Sequence, residues 1–360
     1  MSISMIDINR AEYLRKYIKK CIDEKVLPGA CFGIITRQES EIYAEGHSEL
    51  IPTKKLTNAE VIYDLASLSK VISTTTIILK LIEDGQITLF TNVYDILPDF
   101  KYKDITIYNL LTHTSGLPAD IYDYEELCGS KEDMLKRVFS TELEHEIGKK
   151  VEYSDIGFIL LGLIIEKVVG PMDVYFNENI AKPLDMRDTC YNPKENLIDR
   201  CAPTECTDLR GCIKGTVHDE KSYILGGVSG NAGLFSTVKD LGRFCKMMLN
   251  KGSFHGKRIL SESSIKMILE YNTEGLNEKR GLGWHIKDKF DHTSSIGDLA
   301  SKSTIYHTGF TGTSMFIDFE NQFAFILLTN RVHPSRDNMK LIELRKNINN
   351  IAETAIFKEI

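Results

Sequence analysis

Ala66-Ser67-Leu68-Ser69-Lys70 heads an apolar segment that runs to Glu83. Read as a helix, the segment places Ser67 and Lys70 at i and i+3, one turn apart on one face. A hydroxyl and an amine held that close can serve as nucleophile and base. The amine would sit near a helix N-terminus, whose dipole disfavours positive charge, and burial pushes the same way. The expectation is a Lys70 that is more often the free amine at neutral pH. The same spacing recurs at Ser236/Lys239 and Ser263/Lys266, so it does not identify a site without its surroundings.

Outward from this stretch, Val71, Ile72, Ile77, Ile78, Leu79, Leu81 and Ile82 leave the helix few polar faces, and Gly85 follows as a stop. Upstream, residues 7 to 24 show helical apolar spacing ended by Pro28-Gly29, and 30–36 and 41–46 read as two strands joined by a charged turn. Downstream, helical patterns cover 105–111, 132–141 and 158–169. The glycine run Gly226 to Gly233 cannot be a stable helix and implies close approach of backbone to something. After helices at 240–249 and 262–271, strands are expected at 281–286, 303–307, 314–318 and 323–329, then a final helix at 337–357. Strands at both ends with a helical middle predict an α/β protein of the α+β type. Residues 1–60 and 240–360 would form one discontinuous sheet domain and 61–239 a mostly helical one, with the active site in the cleft between them.

The 360 residues are 42% hydrophobic and 26% charged, with a formal net charge of −7. That composition fits a globular chain and offers no electrostatic footprint for nucleic acid. The N-terminal stretch spreads its charges through an amphipathic pattern and does not read as a signal peptide. No run reaches the roughly 18 apolar residues of a membrane span. A cytoplasmic location is therefore expected. The eight cysteines would then be free thiols. Cys201, Cys206 and Cys212 cluster, but they lack a C-x2-C pair and read as loop thiols rather than a metal site.

Three short elements could converge on the cleft: Ser67-x-x-Lys70, Tyr153-Ser154-Asp155 and His307-Thr308-Gly309. Together with Leu110-Leu111-Thr112-His113-Thr114-Ser115-Gly116-Leu117 and Gly233-Leu234-Phe235-Ser236-Thr237, they resemble the serine β-lactamase/penicillin-binding-protein superfamily. The similarity lies in the branch of class C β-lactamases, D,D-carboxypeptidases and esterases. The stretch Val217-His218-Asp219-Glu220 with the glycine run resembles a sub-branch that includes N-acetylmuramoyl-L-alanine amidases.

The resemblance implies a β-lactamase/transpeptidase-like fold and a serine hydrolase working without a cofactor on a small-molecule or peptide amide or ester. It implies Ser67 as the acylated nucleophile, with Lys70 and Tyr153 moving its proton; which is the principal base is left open. The N–H groups of Ser67 and Phe310 would form the oxyanion hole. Asp155, His307, Thr308 and Gly309 would bind substrate. Asp155 replaces an amide that donates to acylamino groups, and His307 replaces a lysine; both departures favour an ester or amide other than an antibiotic. Asp155 could equally cap the helix after it. His113 reads as a turn-fixing residue, and His218-Asp219 as part of a loop that shapes specificity. The alternative function is a penicillin-binding-like sensor with little turnover. The oligomeric state is not legible.

Overall fold

The computed structural model describes residues 4–122, 130–288 and 295–358. Its centre is a seven-stranded antiparallel sheet built from both ends of the chain. The strands are β1 (Gly29–Thr36), β2 (Ser40–Glu49), β3 (Lys55–Leu56), β4 (His285–Ile286), β5 (Thr304–Thr308), β6 (Ser314–Asp318) and β7 (Phe323–Leu328), in spatial order β4-β5-β6-β7-β1-β2-β3. β1 is buried at every position. The period of two explains why: Ala30, Phe32 and Ile34 enter one apolar cluster, Cys31 and Ile35 another. β7 divides the same way, Phe323, Phe325 and Leu327 against Ala324, Ile326 and Leu328. A sheet covered on both faces needs such continuous apolar strands.

One face carries helices from the two termini. In α1 (Ile8–Asp23), Ala11, Leu14, Ile18 and Cys21 recur at helical spacing and are buried, and Asp7 caps the start by accepting the Asn9 and Arg10 N–H groups. α1 packs on the C-terminal helix, residues Lys340–Glu353. The other face meets the helical body: α2 (Thr75–Glu83), α3 (Asp155–Val169) and α4 (Val238–Leu249). α5 is Lys340–Glu353. α3 is apolar on almost every side, starts at the Ser154 cap and stops at Gly170 with φ +84°. The glycine run lies against it. A Cβ on Gly230 would stand 1.9 Å from the Phe158 carbonyl oxygen, and one on Gly162 would stand 2.7 Å from the Gly230 nitrogen. That contact is the close approach the run implied.

Four expectations need correction. Only His285–Ile286 of the 281–286 stretch is strand. The N–H groups of Leu282 and Gly283 go instead to the carbonyls of Ile268 and Leu111, outside the sheet. The last helix begins at Lys340 because the Arg331 guanidinium gathers the Arg336 and Asn338 carbonyls into a loop. It ends at Glu353, and Ile356–Lys358 pairs antiparallel with Ser4–Ile6. Cys206 and Cys212 are disulfide-bonded across a two-residue-stranded hairpin rather than free. Cys21, Cys31, Cys190, Cys201 and Cys245 are free, and Cys128 lies outside the described residues. Among the described residues no helix is long and apolar enough to cross a membrane.

Gly230→Ala should therefore destabilise the fold by roughly 1–3 kcal/mol, the usual cost of overpacking. Urea unfolding measures it; an unchanged midpoint would show that the contact yields freely.

Candidate active site

Ser67 sits in the turn just before the helix, partly exposed to a cleft. Strain at the preceding residue sets it there, since Ala66 has φ +47°. Asp64 holds that turn from below. Its buried carboxylate accepts the Ala66 N–H at 2.8 Å and the His218 N–H at 2.7 Å. Burial pushes this carboxyl above its ordinary range, while the two N–H groups oppose the push. From the sheet side, the hydroxyls of Thr311 and Thr313 donate to the carbonyls of Asp64 and Leu65. Gly309 comes so near that a Cβ would be 2.6 Å from the Leu65 oxygen. The end of β5 is thus fastened beside the serine turn. Among the described residues, the N–H groups of Ser67 and Phe310 donate to no protein acceptor.

Lys70 opens a π-helical turn, Lys70–Thr74, that precedes α2. Its side chain is fully buried. Nζ donates to Ser67 Oγ at 3.0 Å and to the Asn231 carbonyl at 2.9 Å, and forms an ion pair with Asp155 Oδ1 at 2.6 Å. Burial works against the charge, but Asp155 and then Tyr153 outweigh it and hold the amine above its ordinary pKa. The expected shift toward free amine is therefore reversed. The sequence reading weighed burial and the helix dipole and omitted a counter-ion. Asp155 is also not the cap of α3: Ser154 Oγ accepts the Gly157 N–H, and Asp155 is left to face Lys70.

Tyr153 stands beside Lys70, whose Nζ lies 4.9 Å from the ring centroid; burial raises its phenol, and Lys70 draws it back. The ring is clamped by His113, 4.6 Å away between centroids, which itself stacks on Phe158 at 5.0 Å. His113 Nδ1 accepts the Ser154 N–H at 2.9 Å, and the His113 carbonyl accepts the Glu152 N–H. This histidine fixes the Tyr-Ser-Asp turn. On the far side His307 lies 6.0 Å from the Tyr153 ring. Its Nδ1–H donates to the Thr308 carbonyl, and burial, then His285 and Lys70, keep the ring neutral. Arg280 lies 5.1 Å from the Tyr153 ring and ion-pairs with Glu278 at 3.0 Å. Burial raises the Glu278 carboxyl, but His285 and Arg280 prevail and hold it down at about 2.

Ser67, Tyr153 and Asp155 from the helical body and His307, Thr308, Gly309 and Phe310 from the sheet line one cleft of about 840 Å³. Lys70 lies behind Ser67. The eight residues singled out from sequence are thus brought together. His218 and Asp219 form part of the wall, His218 stacked 5.6 Å from Phe310. Lys221 bridges Asp120 and Asp219 at 2.9 Å each. Burial opposes the Asp219 charge, yet Lys221 lowers its carboxyl to about 2.

Two groups escaped the sequence reading. One is Asp64. The other is Asn231, whose side chain takes hydroxyls of Ser222 and Ser229 and donates to Asp219, aiming its carbonyl at Lys70. The glycine run announced a close approach, but a carbonyl acceptor has no residue-type signature.

With this geometry in place, likenesses to known proteins can be read. A family model described as Beta-lactamase matches residues 14–349. A Salmonella agona relative named "Putative D-alanyl-D-alanine carboxypeptidase" is 33% identical over 343 residues, covering 85% of this chain and 78% of its own. A Salmonella enteritidis protein of the same name is 34% identical over 324 residues, covering 81% and 73%. Among solved structures, EstCE1, "a hydrolase with promiscuous acyltransferase activity", superposes with TM-score 0.75 at 22% identity, over 95% of this chain and 99% of its own. The octameric penicillin-binding protein homologue from Pyrococcus abyssi gives TM-score 0.72 at 22% identity, over 96% and 79%. These two show the fold.

Asp155→Asn leaves a buried ammonium without its counter-ion and should cost on the order of 3 kcal/mol at pH 7. Because the pair raises the Lys70 pKa, its stabilisation is complete below the amine's ordinary value near ~10.5 and is lost as pH rises beyond the folded value. Urea midpoints of the two proteins should converge only in strong alkali. A gap that closes already near neutrality would contradict the pairing.

Proposed function

The chain belongs to the beta-lactamase family, and from that premise we propose that this serine hydrolase acts through an acyl-enzyme on Ser67. The single observation that carries the reading is the buried chain of contacts Ser67 Oγ, Lys70 Nζ, Asp155 Oδ1 at 3.0 and 2.6 Å, opening on a cleft beside two uncommitted N–H groups. In this mechanism Ser67 Oγ attacks the substrate carbonyl. The forming oxyanion takes the N–H groups of Ser67 and Phe310; removing one such donor typically costs about 100- to 1000-fold. The Ser67 proton passes to Lys70 while an ammonium proton moves toward Asp155, since a paired lysine has no lone pair to offer until it gives one up. Tyr153, beside both, then hands its proton to the leaving atom and is reprotonated by Lys70, which recovers a proton from Asp155. Water repeats the steps in reverse and releases the acid. His307, Thr308 and Gly309 line the strand along which substrate would lie.

The substrate we propose is an amide of a cell-wall-derived peptide ending in D-alanine, with small esters and β-lactams as lesser substrates. The name carried by the Salmonella relatives supports the peptide. The cleft, in our reading, divides a sheet domain (1–60 and 240–360) from a helical one (61–239). For location we propose the cytoplasm, supported by five free cysteines; the Cys206–Cys212 bond points instead to an oxidising setting. Thiol titration of protein alkylated at lysis decides between them.

Wild-type protein should release D-alanine from a D-alanyl-D-alanine peptide and hydrolyse p-nitrophenyl acetate, and Ser67→Ala should fall to background on both. Equal rates in the two proteins would remove Ser67 from the mechanism. Asp155→Asn should shift the pH–rate profile to lower pH, because a buried Lys70 without its counter-ion deprotonates more readily. A pH–rate profile superimposable on wild type would sink the relay.

A further inference from the structure

A second lysine is buried in the wall of the cleft, and the proposed mechanism leaves it unused. Lys221 is 4% exposed and stands in the short helical turn Glu220–Ile224, behind the Asp219 cap. Lysine is almost never this buried without partners, and here they are carboxylates. Asp120 and Asp219 touch it at 2.9 Å each, and the charge of Asp155 bears on it as well. Burial opposes the Lys221 charge, but Asp219, then Asp155 and Asp120, hold the amine above its ordinary pKa. Asp155 thus answers to two ammonium groups, Lys70 and Lys221.

Hydrogen bonds fix this grouping. The Asp155 N–H donates to the Ala119 carbonyl at 2.8 Å, and Ser154 Oγ to the Pro118 carbonyl at 2.7 Å. The loop that carries Asp120 is thereby fastened to the start of α3. A second path joins the two lysines. Lys70 donates to the Asn231 carbonyl, the Asn231 amide donates to Asp219 Oδ1 at 3.1 Å, and Asp219 Oδ2 pairs with Lys221. Other charged groups nearby are paired or turned to solvent. Glu220 pairs with Arg336 at 2.7 Å and Arg280 with Glu278 at 3.0 Å. Lys131, Glu132, Asp133 and Lys136, on the helix packed against the Lys221 turn, are exposed. Burial keeps His113 and His307 neutral and the Tyr153 phenol protonated.

We propose that Lys221 is a positioning residue for acylation: it shares Asp120, Asp155 and Asp219 with Lys70, so that Lys70 releases its proton more readily than it would facing those carboxylates alone. Each uncompensated negative charge beside a lysine makes it hold its proton more tightly, and a second ammonium offsets that pull. Lys221 keeps its own proton throughout and acts through Asp155 and Asn231. The role rests on the Ser67 acyl-enzyme reading, in which Lys70 must give up a proton before it can take one.

Two variants with opposite charge effects test this through the pH profile of kcat/KM on p-nitrophenyl acetate. Lys221→Met should move the profile to higher pH by about one unit or more, and Asp120→Asn should move it to lower pH by a similar amount. Lys221→Arg, which keeps the charge, should restore the wild-type profile. A merely structural role would slow both variants without opposed shifts. Profiles that stay in place, or that move in the same direction, would overturn the proposal. A readout free of catalysis keeps it separate from the Ser67 reading. In Ser67→Ala protein carrying carbon-13 at the lysine Cε positions, the Lys70 signal is the one lost on adding Lys70→Arg. Its titration midpoint should fall by about one pH unit when Asp120→Asn is added and rise when Lys221→Met is added. Unmoved midpoints refute the proposal even if Ser67 is the nucleophile. Opposed midpoints support it even if Ser67→Ala retains hydrolysis.

Discussion

A lysine with no exposed surface must find its counter-charge inside the protein, and here Asp155 supplies it at 2.6 Å. That requirement joins three segments distant in sequence. The serine turn brings Ser67 and Lys70, the start of α3 brings Asp155, and the glycine run brings the Asn231 carbonyl. None of the three can shift without exposing or stranding the ammonium, so the ion pair locks the geometry around Ser67. It also decides the resting protonation state. A buried amine alone would tend to neutrality; a buried amine beside a carboxylate stays charged. In the proposed mechanism Lys70 therefore has to pass on a proton before it can accept one.

The second constraint comes from the sheet. β5 ends where Gly309 meets the Leu65 carbonyl, and threonine hydroxyls tie residues 311 and 313 to residues 64 and 65. This seam brings Phe310 beside the serine turn and makes a cleft whose walls come from opposite parts of the chain. A strand edge and a helix start are rigid supports, suited to holding donors ready for a developing charge.

How legible was this in the residues? The strands β1 and β7 and the stop at Gly170 are local, and they were readable before any coordinates. The positions of Ser67, Lys70, Tyr153 and His307 were readable as spaced motifs. What sequence reasoning missed is long-range and electrostatic. Asp155 was read as a cap or a substrate contact because its partner lies 85 positions away. The 281–284 stretch has strand-like residues, but helix carbonyls claim the N–H groups of Leu282 and Gly283. The disulfide was missed because compartment was argued before proximity.

The most direct test of the account is to catch the intermediate. Protein mixed with an N-acylglycyl thioester, quenched in acid within the first turnovers and digested, should yield the peptide containing Ala66-Ser67-Leu68-Ser69-Lys70 heavier by one acyl group, with fragmentation placing it on Ser67. An unmodified Ser67 peptide during active turnover, or the acyl group on another residue, would contradict the central claim.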